Sequence, residues 1–124
     1  MIDGADVQNN LPLTETTFFI LLSLVPKPKH GYAIMKDVHG LSRERIALST
    51  GTLYGAIRRL LEQGWITRVP DNARVSDVEQ TLHPGRPRKA YRLTDLGRRI
   101  LNAEVERLQA LVAVARLRAV EGQV

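Results

Sequence analysis

Ser49-Thr50-Gly51-Thr52-Leu53-Tyr54-Gly55-Ala56-Ile57-Arg58-Arg59-Leu60-Leu61-Glu62-Gln63-Gly64 is the stretch on which the reading of this 124-residue chain turns. It reads as one helix, with Ser49 or Thr50 as N-cap and Gly64 as the stop just past the last turn. Leu53, Ile57, Leu60 and Leu61 recur at i, i+4, i+7 and i+8, which makes one apolar stripe at helical period. At about 100° per residue, the opposite face carries Gly51, Thr52, Gly55, Arg58, Arg59 and Glu62, with Tyr54 at its edge. A glycine inside a helix costs roughly 1 kcal/mol against alanine, so two on one exposed face imply close approach of the backbone to something large. Two arginines beside them make that partner an anion, and together these features predict a recognition helix for the DNA major groove. The alternative is a solvated basic helix whose glycines fray its start.

The charge distribution supports the first reading. Residues 26–99 hold 15 Lys/Arg and 7 Asp/Glu, a net of +8; the remainder holds 3 and 6, a net of −3, which restores the overall +5. Positive charge is therefore concentrated around the proposed recognition helix, as a polyanion-binding surface needs. The absence of cysteine excludes a disulfide framework and a thiolate metal site. No apolar run approaches the roughly 18 residues of a membrane span. Met1 to Asn10 is polar and carries Asp3 and Asp6, unlike a secretory signal. A soluble cytoplasmic protein is the expectation.

Working outward, residues 1–13 lack periodicity and are expected to form a flexible N-terminal arm, disordered or loosely docked. A helix is expected from Thr14, a capping residue followed by Glu15 near the positive end of the helix dipole. Phe18, Phe19, Ile20, Leu21, Leu22, Leu24 and Val25 make it apolar over more than one stripe, so it needs two neighbours; Pro26 and Pro28 stop it. Gly31 to about His39 predicts a second helix with Ile34, Val38 and then Leu41 turned inward, ended by Gly40. Tyr32 and Lys36 share its other face and are candidates for phosphate-backbone contact, with edge packing as the alternative. Arg43 and Arg45 fall in the loop before a short strand candidate, Ile46-Ala47-Leu48, and would also lie near the groove.

Beyond Gly64 the alternating runs Trp65–Val69 and Lys89–Leu93 predict two strands. Between them lies Pro70 to Arg88, long for a hairpin loop and basic at Gly85-Arg86-Pro87-Arg88. Arg86, Arg88 and Lys89 suit a positive wing entering a narrow minor groove. Thr94 caps a long helix. In it Leu101, Val105, Leu108, Val112, Ala115 and Ala119 follow at coiled-coil spacing, and Leu96, Ile100, Leu111 and Val114 form a second flank. A small winged domain cannot cover both flanks. Pairing with a second copy is the economical solution, with Phe18, Phe19 and Leu22 of the broad first helix packing across the seam. The alternative is a helix folded back on its own domain.

Helix, helix, strand, recognition helix, two-stranded wing and long helix make up the winged helix-turn-helix plan. The expected fold is mainly α with a small β-wing: arm 1–13, DNA-binding domain 14–94 and C-terminal dimerisation helix 95–124. Three segments make the chain similar to PadR-family transcriptional regulators: His30-Gly31-Tyr32-Ala33-Ile34; Gly51-Thr52-Leu53-Tyr54 with Leu60 and Glu62-Gln63-Gly64; and Gly85-Arg86-Pro87-Arg88-Lys89 with Tyr91-Arg92-Leu93-Thr94 and Gly97. The resemblance implies a homodimer on an inverted-repeat operator, usually a repressor, paired through a single C-terminal helix. It implies groove and phosphate contacts at Thr52 and Tyr54 and wing contacts at Arg86, Arg88 and Lys89. It also implies release, in some relatives, by phenolic or other aromatic compounds held near the dimer interface. Trp65 departs from the aliphatic residue usual at its position and is expected in the core; residues 70–84 lengthen the wing.

Enzymatic chemistry finds little support: His30, His39 and His83 show no metal spacing, and no glycine-rich phosphate loop follows a strand. A winged domain used only for protein contacts, or a small-molecule-binding protein without specific DNA binding, are the rival functions.

Overall fold

The computed structural model describes residues 4–70 and 89–120. In chain order these form α1 (Gly4–Asn9), α2 (Glu15–Ser23), β1 (Lys29–His30), α3 (Gly31–Leu41), α4 (Thr50–Gln63), β2 (Ile66–Arg68), β3 (Ala90–Leu93) and α5 (Asp95–Val120). The strands make one antiparallel sheet in the order β1-β3-β2, with His30 opposite Ala90 and Thr67 opposite Arg92. This is the winged helix-turn-helix arrangement with a long C-terminal helix.

Local chemistry sets the start of α2. The Thr14 hydroxyl accepts from the Thr17 amide at 3.1 Å and caps α2. The core lies where α2, α3, α4, the sheet and the first turns of α5 converge. Ile20, Leu21, Ile34, Val38, Leu53, Ile57 and Ile100 are among its most buried members. Trp65 belongs to it at 5 % exposure, as expected. Lys29, itself largely buried, donates from Nζ to the Ser23 carbonyl and to the Asp37 carboxylate, so its charge sits at the carbonyl end of α2.

Four expectations need correction. Residues 4–13 are not a flexible arm. They form α1 and a docked connection, with Val7 buried and Leu11 and Leu13 packed on the core. Six residues are too few to hold a helix alone; contact with α5 supplies the stability that so short a helix lacks. Ile46-Ala47-Leu48 is not a strand. β1 takes the free edge of β3 instead, and Ile46 and Leu48 serve as packing side chains. Gly40 does not end α3, which continues to Leu41. Leu41 is exposed rather than inward, and the buried Ser42 hydroxyl donates to the His39 carbonyl and accepts from the Ile46 amide.

Glu104 anchors the N-terminal segment. Its buried carboxylate accepts from the Leu13 amide at 2.9 Å and from the Arg107 guanidinium at 2.6 and 3.1 Å. The Arg107 hydrogen bond outweighs desolvation and holds the Glu104 carboxyl below its usual value. A depressed carboxylate stabilises the fold above the unfolded-chain value and loses that contribution as pH falls through the folded value. Acidification through the carboxylate range is therefore expected to lower the melting temperature, and Glu104→Gln to flatten the decline. Identical slopes for the two proteins in a pH series of thermal melts would refute this role.

Candidate nucleic-acid interface

The candidate surface is built on α4. The Ser49 hydroxyl accepts from the Thr52 amide at 3.1 Å and so caps the helix as the sequence requires. Gly64, with φ of 77°, closes the other end. The Trp65 and Gly64 amides bond back to the Leu60 and Leu61 carbonyls at 3.0 and 3.1 Å, a pattern that needs the left-handed conformation glycine adopts without strain. Leu53, Ala56, Ile57 and Leu60 face the core. Thr50, Gly51, Thr52, Tyr54, Arg58 and Arg59 are exposed, Gly55 half-exposed. A Cβ added at Gly51 or Gly55 would meet nothing within 4 Å, so no contact among the described residues demands either glycine. Arg58 and Arg59 form no ion pair among the described residues.

Neighbouring elements extend this surface. The Tyr54 hydroxyl lies against the first residue of α3, where a Cβ on Gly31 would stand 2.5 Å from it. Gly31 thus leaves the space that seats Tyr54. Burial raises the Tyr91 phenol above its usual value, the neighbouring Tyr54 adding to the effect and Arg68 opposing it. On α3, Lys36 Nζ stands 5.7 Å from the centre of the Tyr32 ring, so the two expected backbone-contact residues form one unit. Arg43 and Glu44 both take left-handed backbone angles, with φ of 55° and 68°, in the turn that leads to α4. Arg45 follows them but is not free: it pairs with Glu15 at the start of α2 at 2.5 Å. That hydrogen bond holds the Glu15 carboxyl below its usual range.

The expected hairpin is present, with Ile66 opposite Leu93 and Arg68 opposite Tyr91. Lys89 is exposed at its end. Arg86 and Arg88 lie outside the described residues. Arg68 on β2 and Arg92 on β3 are exposed and were missed from the sequence; the register, with Arg68 opposite Tyr91 and Arg92 opposite Thr67, puts them on opposite faces of the hairpin. The polar positions of each alternating run were the available signal.

A family comparison settles what kind of protein carries this surface. Residues 20–103 match the Transcriptional regulator PadR-like family. The chain belongs to that family. No curated protein matches it. Among solved structures, a PadR-family regulator from Eggerthella lenta DSM 2243 is 30% identical, with 93% of this chain and 85% of that one covered and a TM-score of 0.56. A PadR-family regulator from Clostridium difficile R20291 is 26% identical, with 84% and 97% covered and a TM-score of 0.63. Bacillus subtilis PadR, solved in complex with operator DNA, is 20% identical, with 76% and 48% covered and a TM-score of 0.58. This last likeness is one of fold.

In this PadR-like chain the expected dimer residues fall into three groups. Leu101 is buried at 4 % exposure and belongs to the chain's own core. Phe18, Phe19, Leu22 and Val105 are half-buried, while Leu108, Val112, Ala115 and Ala119 are exposed. Phe18, Val105, Leu108, Gln109, Val112, Ala113 and Arg116 line a groove of about 520 Å³ between α2 and α5. Among the described residues no helix is long and apolar enough to cross a membrane, and no cluster of His, Cys, Asp or Glu is arranged to hold a metal ion.

Proposed function

We propose that this PadR-like regulator binds duplex DNA as a homodimer and represses transcription from an inverted-repeat operator. The observation that carries the reading is the outer face of α4, where exposed Arg58 and Arg59 follow two glycines that no contact among the described residues requires. Phosphate contacts from Lys36, Arg43 and Lys89 would supply salt-dependent affinity, while Thr52, Arg58 and Arg59 read base edges. Bacillus subtilis PadR, which shares the fold, was solved in complex with operator DNA, and this supports DNA as the partner. Arg59→Ala is expected to weaken operator binding about tenfold, the scale of one good base contact, without changing the oligomeric state. Unchanged affinity in a fluorescence-anisotropy titration would rule out that assignment.

Pairing of α5 from two copies would bury Leu108, Val112, Ala115 and Ala119, with Phe18, Phe19 and Leu22 alongside, and set two α4 helices about 34 Å apart for successive major grooves. The groove beside Phe18 is lined by the same Leu108 and Val112 that pairing would cover, so a small molecule seated there would compete with the partner helix. We assign it to an aromatic or phenolic effector whose binding would alter the pairing and release the DNA. Titrating phenolic compounds into the operator complex tests this: release by none of them would remove the effector from the mechanism.

A further inference from the structure

The recognition helix and the long helix meet at a small junction that the function above leaves unused. At the end of α4, the Gly64 carbonyl accepts from the Thr94 hydroxyl at 2.6 Å, and the Trp65 carbonyl accepts from the Thr94 amide at 3.1 Å. The same Thr94 oxygen accepts from the Gly97 amide at 3.0 Å and so caps α5. Gly97 completes the contact, since a Cβ there would stand 2.0 Å from the Trp65 carbonyl oxygen. The carbonyl end of one helix thus abuts the amide end of the other, an arrangement their dipoles favour. Among the described residues no extended helix-on-helix face joins α4 to α5, so their mutual direction rests on this junction and the core beneath it.

We propose that Thr94 and Gly97 are positioning residues that set the angle between α4 and α5, and through it the half-site spacing the dimer accepts. The inference rests on the paired, DNA-binding reading above. In such a dimer α5 is the shared axis and α4 the reading element, so their angle fixes the separation of the two α4 helices. A threonine hydroxyl serves the junction because it donates to Gly64 while accepting from Gly97.

Thr94→Asp separates the two roles. Aspartate is a good N-cap and keeps the bond from the Gly97 amide, but its carboxylate has no proton for the Gly64 carbonyl. Affinities are measured on two operators, one at native half-site spacing and one with a base pair inserted between half-sites. The ratio cancels the general effect of the added charge. The parent protein is expected to favour native spacing, and Thr94→Asp to lose about three- to tenfold of that preference, the factor one net hydrogen bond can supply. Thr94→Ser, which keeps both bonds, should restore it. Circular dichroism and sedimentation report the fold and dimer of each variant. A Thr94→Asp dimer with undiminished spacing preference would leave Thr94 a capping role alone, and one that loses its fold or its pairing would make the Gly64 bond a stability element; either result would overturn the proposal. A parent protein with no operator preference would overturn the proposed function as well.

Discussion

Gly97→Ala is expected to lower the melting temperature by about 10 °C, although the same change in an open helix would raise it. Two effects oppose each other. Alanine gains roughly 1 kcal/mol in helix propensity over glycine, and Gly97 lies in the first turn of α5. Against that, the new methyl would stand 2.0 Å from the Trp65 carbonyl oxygen and 3.2 Å from a Leu93 methyl. The first neighbour is backbone, held by the Thr94 amide, so no side-chain rotation relieves the clash. Overpacking of this kind costs about 1–3 kcal/mol, and more where backbone must move. The net loss is therefore about 2 kcal/mol, which at about 4–8 °C per kcal/mol for a domain of this size gives the stated shift. Thermal melts at matched protein concentration decide the matter, and an unchanged or raised midpoint would mean that the junction yields freely.

The second large effect concerns pairing. Leu108→Glu combined with Val112→Glu is expected to leave the winged domain folded, abolish the dimer and weaken operator binding by about a hundredfold or more. In the single chain Leu108 is 36% and Val112 47% exposed, and neither belongs to the core cluster, so glutamates there cost the protomer little. In a paired seam the same glutamates would lie desolvated and opposite their own copies. Two linked half-site contacts gain about 10²–10⁴ over one through effective concentration, and that factor is what separation forfeits. Sedimentation gives the mass and anisotropy the affinity; a variant that stays dimeric and binds as before would show that α5 is not the seam.

The helix α4 was legible from cap to cap, because everything that defines it as a helix is local. Ser49 at the start, Gly64 at the end and a period of Leu53, Ile57 and Leu60 each act within a few residues, and the structure places all of them as read. The Thr94 cap and the two wing strands were legible for the same reason. Arg45 shows the limit within the site. Its loop position and charge pointed outward to a polyanion, yet Glu15, thirty residues earlier, already holds it. The exposed stripe of α5 is legible because its period is long and regular, and nothing among the described residues covers it.

Order along the chain thus determined the helices with caps and periods, the hairpin and the basic face, since these follow from propensity and spacing. Tertiary structure alone decided the rest. It turned residues 4–9 into a helix by burying Val7, gave the edge of β3 to Lys29 and His30 rather than to Ile46–Leu48, and drew Glu104 inward to meet Leu13. Each of these depends on a partner far away in sequence, and a short segment takes its form from whichever surface is free to receive it.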